Sequence, residues 1–450
     1  STLNKQSQTY EINVLPTYIN PNNLGRYFSN MYENIITAGV NSSNKILKTK
    51  HKNFIPIIQT GVYVEYKNRD FKARVLGFKR ADIEQFDYAI TTNGINDLLQ
   101  HINSTYGIKL GEQTRSYDSY KANNLIAATY VNADLSIHNK LKIIAGFRYE
   151  YSNQQLSSGT ATDFIKVNNQ KNAYLPSVNI SYSISPKMVL RAAYGMSVNR
   201  PEFREIAPFA FDDFYTRYSI VGNPNLKNAT VHNSDIKFEY YPSNGELISA
   251  SVFYKKFLNP IESKAVVGTS GSTFSFANAY QSDVVGVELE LKKSFTNAKN
   301  YFFKHLGVLA NISYIYSKVN LGSEKIGQSN NRPLQGQSPF LANAGLFFED
   351  KELGLQANLL YHIIGKRIAF VGTDDNPDIY EMPRHVLDFN IQYRFKKNVE
   401  ISLAATDLIN SSVLFIQDGN RDKKWNRKTD QVFQQYKLGQ SISLGVKYNF

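Results

Sequence analysis

The residues best equipped for chemistry fall in one run from Arg200 to Tyr218. There Arg200, Glu202, Arg204, Asp212, Asp213 and Arg217 are interleaved with Phe203, Phe209, Phe211, Phe214, Tyr215 and Tyr218. A guanidinium grips carboxylate or phosphate oxygens through paired hydrogen bonds, and an aromatic face attracts cations. Such a set can clasp a sugar, a peptide or a chelate, with Arg200, Glu202, Arg204, Asp212, Asp213 and Tyr215 as the expected substrate contacts. The same residue types also suit a loop that folds over and buries its rings against neighbours.

No catalytic constellation is present, and an enzyme is not expected. The seven His residues are scattered, without a His-Glu-x-x-His pair, a Gly-x-Ser-x-Gly elbow or a phosphate-cradling Gly-rich loop. No cofactor is implied either. Asp374, Asp375, Asn376 and Asp378 offer oxygen ligands of the kind Ca²⁺ takes, but their spacing fits no EF-hand, so a solvated loop is expected. With no cysteine in the chain, disulfide frameworks, thiolate metal sites and cysteine nucleophiles are excluded. The net charge of +13 comes from 51 basic and 38 acidic residues. These are spread over turns, loops and strand ends with no basic helical stripe, which argues against nucleic acid as a partner. A positive exterior is compatible with outer-membrane lipid and lipopolysaccharide.

Something must hold these residues, and the sequence restricts what it can be. No stretch approaches the ~20 apolar residues of a spanning helix, which excludes a helical membrane protein. A transmembrane strand needs only ~9–11 residues, of which every second one is apolar. The mean hydropathy of −0.37 therefore leaves a barrel open. Thirty Tyr and 28 Phe against one Trp suit the interfacial girdles of such a barrel.

Alternation is clearest at the end of the chain, where Tyr436, Leu438, Ile442, Leu444, Val446, Tyr448 and Phe450 share one parity, broken only by Gln440. The other parity is small and polar, as a wall between lipid and a wet lumen requires. Leu387, Phe389, Ile391, Tyr393 and Phe395 repeat the pattern, as do Val178, Ile180, Tyr182 and Ile184, and Val285, Val287, Leu289 and Leu291.

Connections alternate between tight turns (136–140, 185–187, 242–246, 350–352, 396–398) and long loops (82–116, 153–172, 199–231, 259–279, 320–338, 373–384, 418–435). Short turns at one rim and long loops at the other distinguish an outer-membrane barrel from a soluble sandwich. The expected fold is therefore all-β: a transmembrane antiparallel β-barrel with about 14 strands in this chain. It forms one domain over 1–450, with strands in 54–450 and an extracellular loop-like segment in 1–53. Ser1 to Leu15 is polar and lacks the apolar core of a signal peptide, as in a mature chain or a fragment.

Tyr194 to Glu262 combines Asn199-Arg200-Pro201, an aromatic loop, Gly222-Asn223-Pro224-Asn225-Leu226 and two strands about a turn. It resembles the core barrel signature of the TonB-dependent outer-membrane receptors, particularly the Bacteroidota type. Gly286-Val287-Glu288-Leu289-Glu290, Thr406-Asp407-Leu408-Ile409-Asn410 and Tyr448-Asn449-Phe450 look like further family segments. Tyr448 and Phe450 resemble the terminal signal read by the barrel assembly machinery.

The resemblance implies the C-terminal barrel portion of such a receptor, the last fourteen strands of a 22-stranded barrel, without its plug domain and TonB-contacting box. It implies uptake of a scarce solute (ferric chelate, cobalamin, oligosaccharide or peptide) across the outer membrane of a Gram-negative cell. Energy would come from the TonB complex through the missing N-terminal part. A receptor-like accessory barrel, partnered by a surface lipoprotein or another outer-membrane subunit, and a passive porin are the alternatives.

Overall fold

The computed structural model describes residues 2–4, 9–13, 25–46, 54–80, 89–92, 100, 102, 108–115, 118–138, 140–159, 164–212, 219–268, 271–322, 332–373, 376–395, 398–422 and 424–448. One antiparallel sheet of 16 strands dominates it. Fifteen of these strands follow one another in chain order. They are β1 (Gly25–Lys45), β2 (Phe54–Arg80), β3 (Ser119–Ile137), β4 (Leu141–Gly159), β5 (Phe164–Ser185), β6 (Met188–Asn199), β7 (Ala229–Tyr240) and β8 (Leu247–Leu258), then β9 (Gln281–Ser294), β10 (Leu306–Asn320), β11 (Phe340–Asp350), β12 (Leu355–Ile364), β13 (Arg384–Phe395), β14 (Val399–Thr406) and β15 (Ser441–Tyr448). The sixteenth, Ile108–Glu112, pairs with the far end of β2. Among the described residues no ladder joins β1 to β15.

The two faces of this wall differ as the alternation requires. Val252, Tyr254, Val285, Val287, Leu289, Ile312, Tyr314, Ile442, Leu444 and Val446 are exposed on one side. The register places Ser251, Glu288 and Ser313 together on the other. There Ser251 and Ser313 both donate to Glu288, at 3.4 and 3.3 Å. Apolar side chains outside and hydrogen-bonded polar ones inside identify the outer face as the lipid face and the inner as the lumen. Antiparallel pairing between neighbouring strands satisfies the backbone in a medium with no water to do so. Among the described residues no helix is long and apolar enough to cross a membrane.

Every odd-to-even connection, from β3–β4 to β13–β14, lies at one rim; the even-to-odd ones lie beyond the other rim, as long loops except for the extended hairpin of β4 and β5. In outer-membrane barrels the first rim is periplasmic and the second extracellular.

Three expectations need correction. The segment expected to be loop-like, 1–53, contains β1, paired with β2 along all of Gly25–Lys45. Its alternation is masked because Ile35 and Ile36 fall on opposite faces while Asn30 and Asn34 interrupt the outer one. The expected loop 153–172 is mostly the continued hairpin of β4 and β5. Above the bilayer both faces are polar, so the apolar period disappears while the hydrogen-bonded ladder continues. Finally, 353–372 and 399–417 are each two strands rather than one, and the last strand of the wall is Ser441–Tyr448. The outer halves Arg367–Phe370 and Val413–Gln417 join two strands from the expected loops, Ile379–Glu381 and Gln431–Tyr436, in a separate small sheet. The break after β14 and the one before β15 fall where the backbone turns left-handed, at Asp407 (φ 53), Asn410 (φ 50) and Gly439 (φ 88), a region that Asn, Asp and Gly tolerate best.

Candidate ligand-binding mouth of the barrel

The loop between β6 and β7 does not stand up from the rim; it folds inward. Glu202 opens the one-turn helix Phe203–Ile206 through a reciprocal capping box with Glu205, whose burial pushes the Glu205 carboxyl above its ordinary value. The returning strand passes so close that a Cβ on Gly222 would lie 2.1 Å from the Ala207 carbonyl oxygen. Asn223 then locks the crossing: its N–H donates to the Glu205 carbonyl at 2.6 Å and its side chain donates to the Phe276 carbonyl at 2.9 Å. The Gly222-to-Leu226 motif is thus a clasp that fixes the loop's path.

Held this way, Phe203, Ile206, Phe209, Phe211 and Leu226 pack against Tyr120, Ala122 and Leu156 on the lumen face of β3 and β4. The rings of Phe71 and Tyr120 stack at 5.1 Å, and those of Phe71 and Phe209 at 5.4 Å. Arg200 pairs with the buried Glu150, which also accepts from Arg148 at 2.7 Å. Arg69 donates to Glu33 at 2.6 Å and lies over the Phe203 ring, 5.2 Å from its centroid. Between wall and loop remains a cavity of about 260 Å³ lined by Tyr27, Arg69, Tyr120, Arg204, Phe209 and Phe211. The guanidinium carbon of Arg204 lies 3.2 Å from the centre of the Phe211 ring.

A second group of loops closes over the other side of the mouth. Arg332 binds Glu262 through two hydrogen bonds of 2.8 and 2.7 Å, both side chains being buried. Gln335 accepts from the Ser263 N–H at 2.6 Å and donates to the Ala369 carbonyl at 2.5 Å. Loops β8–β9, β10–β11 and β12–β13 are therefore joined. Burial pushes Asp378 above its ordinary value and Tyr380 up to about 12. Lys366, lowered by its own burial, lies 3.1 Å from the centre of the Trp425 ring, tying loop β12–β13 to loop β14–β15. Under these loops the lumen opens into a larger cavity of about 530 Å³, bordered by Asp235, Phe253, Lys255, Glu288 and Arg367.

Of the residues expected to contact substrate, the structure brings Arg204 to the small cavity. Arg200 is committed to Glu150 and Glu202 to the helix cap. The Asp212 side chain, Asp213 and Tyr215 lie outside the described residues, as do Phe450, Asp374 and Asp375. Asp378 accepts a 2.8 Å hydrogen bond from the Gly372 N–H, and among the described residues no cluster of three potential metal ligands occurs. Tyr448 ends β15 exposed on the lipid face. Arg69, Phe71 and Tyr120, which sequence reasoning missed, sit on the lumen parity of β2 and β3. The signal was there: Arg69 and Phe71 keep the inner parity of a strand that runs well past the lipid belt.

Wall, lumen and loops together define an outer-membrane β-barrel protein with an extracellular mouth. The chain belongs to the TonB-dependent receptors: the family described as "TonB dependent receptor-like, beta-barrel" matches residues 3–408. The iron-regulated outer membrane virulence protein of Vibrio cholerae is 24% identical over 263 residues, 55% of this chain and 38% of that protein. Among solved structures, the unliganded ferric citrate transporter FecA superposes with a TM-score of 0.62 at 10% identity, covering 94% of this chain and 56% of its own. The ferric-catecholate import receptor Fiu of E. coli K12 gives 0.61 at 13% identity, covering 94% and 55%. At such identities the structural likeness establishes the fold. The chain thus spans about half the length of these receptors and less than half of the curated relative.

Proposed function

We propose that the chain forms the barrel of a receptor that captures a scarce solute at the cell surface and admits it through the lumen, driven by the TonB complex. Within that reading a ferric chelate is the favoured substrate class, ahead of cobalamin, oligosaccharide or peptide. The observation that carries it is the small cavity at the mouth, where Arg204 stands among Tyr27, Tyr120, Phe209 and Phe211, beside the Glu33-paired Arg69. An anionic, ring-bearing chelate matches that chemistry: the Arg204 guanidinium meets its charge and aromatic faces its ligand rings. The relatives above, a ferric citrate transporter, a ferric-catecholate import receptor and an iron-regulated outer membrane protein, support the same class.

Calorimetric titration of the full-length receptor with ferric citrate and ferric catecholates tests this reading. One of them is expected to bind, with Arg204→Ala weakening it about tenfold, the loss of one charge-assisted contact. Absence of binding to every ferric chelate, with binding of a neutral oligosaccharide instead, would overturn the substrate class.

A further inference from the structure

The turn joining β9 to β10 differs from its neighbours at the periplasmic rim. Between β5 and β6 two residues suffice, but here Phe295 to His305 intervene and fold a helical turn, Tyr301–Lys304. Asn300 caps it, its side-chain oxygen accepting from the N–H groups of Phe302 and Phe303 at 2.9 and 3.3 Å. The Tyr301 hydroxyl donates to the Asp350 carboxylate, which also accepts from the N–H groups of Glu352 and Leu353, both at 2.9 Å. The helical turn is thereby fastened to the next turn of the rim.

Register places it on the outside of the wall. Phe302 stacks on Phe348 at 5.4 Å with 23° between the rings. Phe348 pairs with Leu306, on the same parity as the lipid-facing Leu346, Ile312 and Tyr314. Yet Tyr301, Phe302 and Phe303 remain 57%, 55% and 52% exposed. A contiguous aromatic edge of this kind is unfavourable in water and marks a surface with a partner. Its height supplies that partner, because Tyr393, Phe395 and Tyr448 stand exposed on the lipid face at the same rim. Between Phe295 and His305 there is no acidic residue, while Lys299 and Lys304 are exposed.

We propose that the β9–β10 turn is an interfacial anchor, its aromatic edge seated in phospholipid of the periplasmic leaflet and its two lysines directed at anionic head groups. Aromatic rings with flanking Lys are the side chains that settle at this depth, and each Lys near an anionic surface adds attraction.

The chain has no cysteine, so a single one can carry a polarity-sensitive bimane label. Phe303→Cys leaves the Phe302–Phe348 stack in place, and Asn244→Cys, at the tip of the β7–β8 turn, is the control at the same rim. Both labelled variants, confirmed as folded by heat-modifiable gel migration, would be placed in phosphatidylethanolamine–phosphatidylglycerol vesicles with and without brominated acyl chains. The label at 303 is expected to emit further to the blue and to lose about half its emission or more to the brominated lipid, while the label at 244 does neither. If both labels emit as in water and escape quenching, the turn does not touch lipid and the anchor is rejected.

Discussion

Arg332 and Glu262 hold each other through two hydrogen bonds inside the extracellular cap, 70 residues apart in sequence and both almost fully buried. Two different loops meet at this pair. Its geometry compensates the removal of both charges from water, and neither partner can be lost alone without stranding the other.

Glu262→Ala is accordingly expected to destabilise the cap by about 3–5 kcal/mol, the cost of an uncompensated buried charge. Limited proteolysis checks it: cleavage should rise in loops β8–β9 and β10–β11 while the wall stays intact. Unchanged cleavage would show that the pair does not hold the cap.

Gly222→Ala is expected to dislodge the inward-folded loop, because the new methyl group meets backbone, at 2.1 Å from the Ala207 oxygen, rather than a flexible side chain. Overpacking of this kind costs about 1–3 kcal/mol. Hydrogen exchange at Ala207 and Asn223, whose N–H groups are bonded within the clasp, should accelerate.

Glu112 is held well below its ordinary value of 4.5, at about 2, chiefly by hydrogen bonds from Arg74. A carboxylate lowered on folding stabilises the folded state above its unfolded value, and that contribution is lost as pH falls through the folded one. The tie between strand Ile108–Glu112 and β2 should therefore persist from neutral pH to below 4 and release near 2. Carbon-13 titration of the Glu112 side chain reads it directly; a midpoint near 4.5 contradicts the bond.

Lys366→Ala should alter the emission of Trp425, the sole tryptophan, by removing the cation from its ring face. A contact of this kind is worth about 0.5–2 kcal/mol, so a shift in emission maximum without global unfolding is the expected result. An unchanged spectrum would mean that Lys366 and Trp425 do not meet in solution.

How far these features could be read from sequence depends on where each residue stands relative to lipid. Within the bilayer belt, stretches such as Val285–Leu291 declare both strand and face, because lipid demands an apolar side chain at every second position. Outside the belt that demand ends. The upper hairpin of β4 and β5 was illegible for that reason, and β1 because Ile35 and Ile36 stand side by side and Asn30 and Asn34 interrupt its outer face, although both backbone ladders continue unbroken. Arg200 had the chemistry of a ligand contact, but nothing local announces its partner Glu150, 50 residues away. Glycine motifs were visible as motifs, whereas the close approach that requires Gly222 exists only once the loop has folded over the helix.

Uptake of radiolabelled ferric chelate tests the central claim most directly, using cells that carry the receptor in strains with and without TonB. Accumulation that needs both the receptor and TonB, and that collapses with the proton-motive force, is the predicted result. Equal uptake in the absence of TonB, or none of any ferric chelate, would contradict an energised receptor and leave the barrel a passive or structural role.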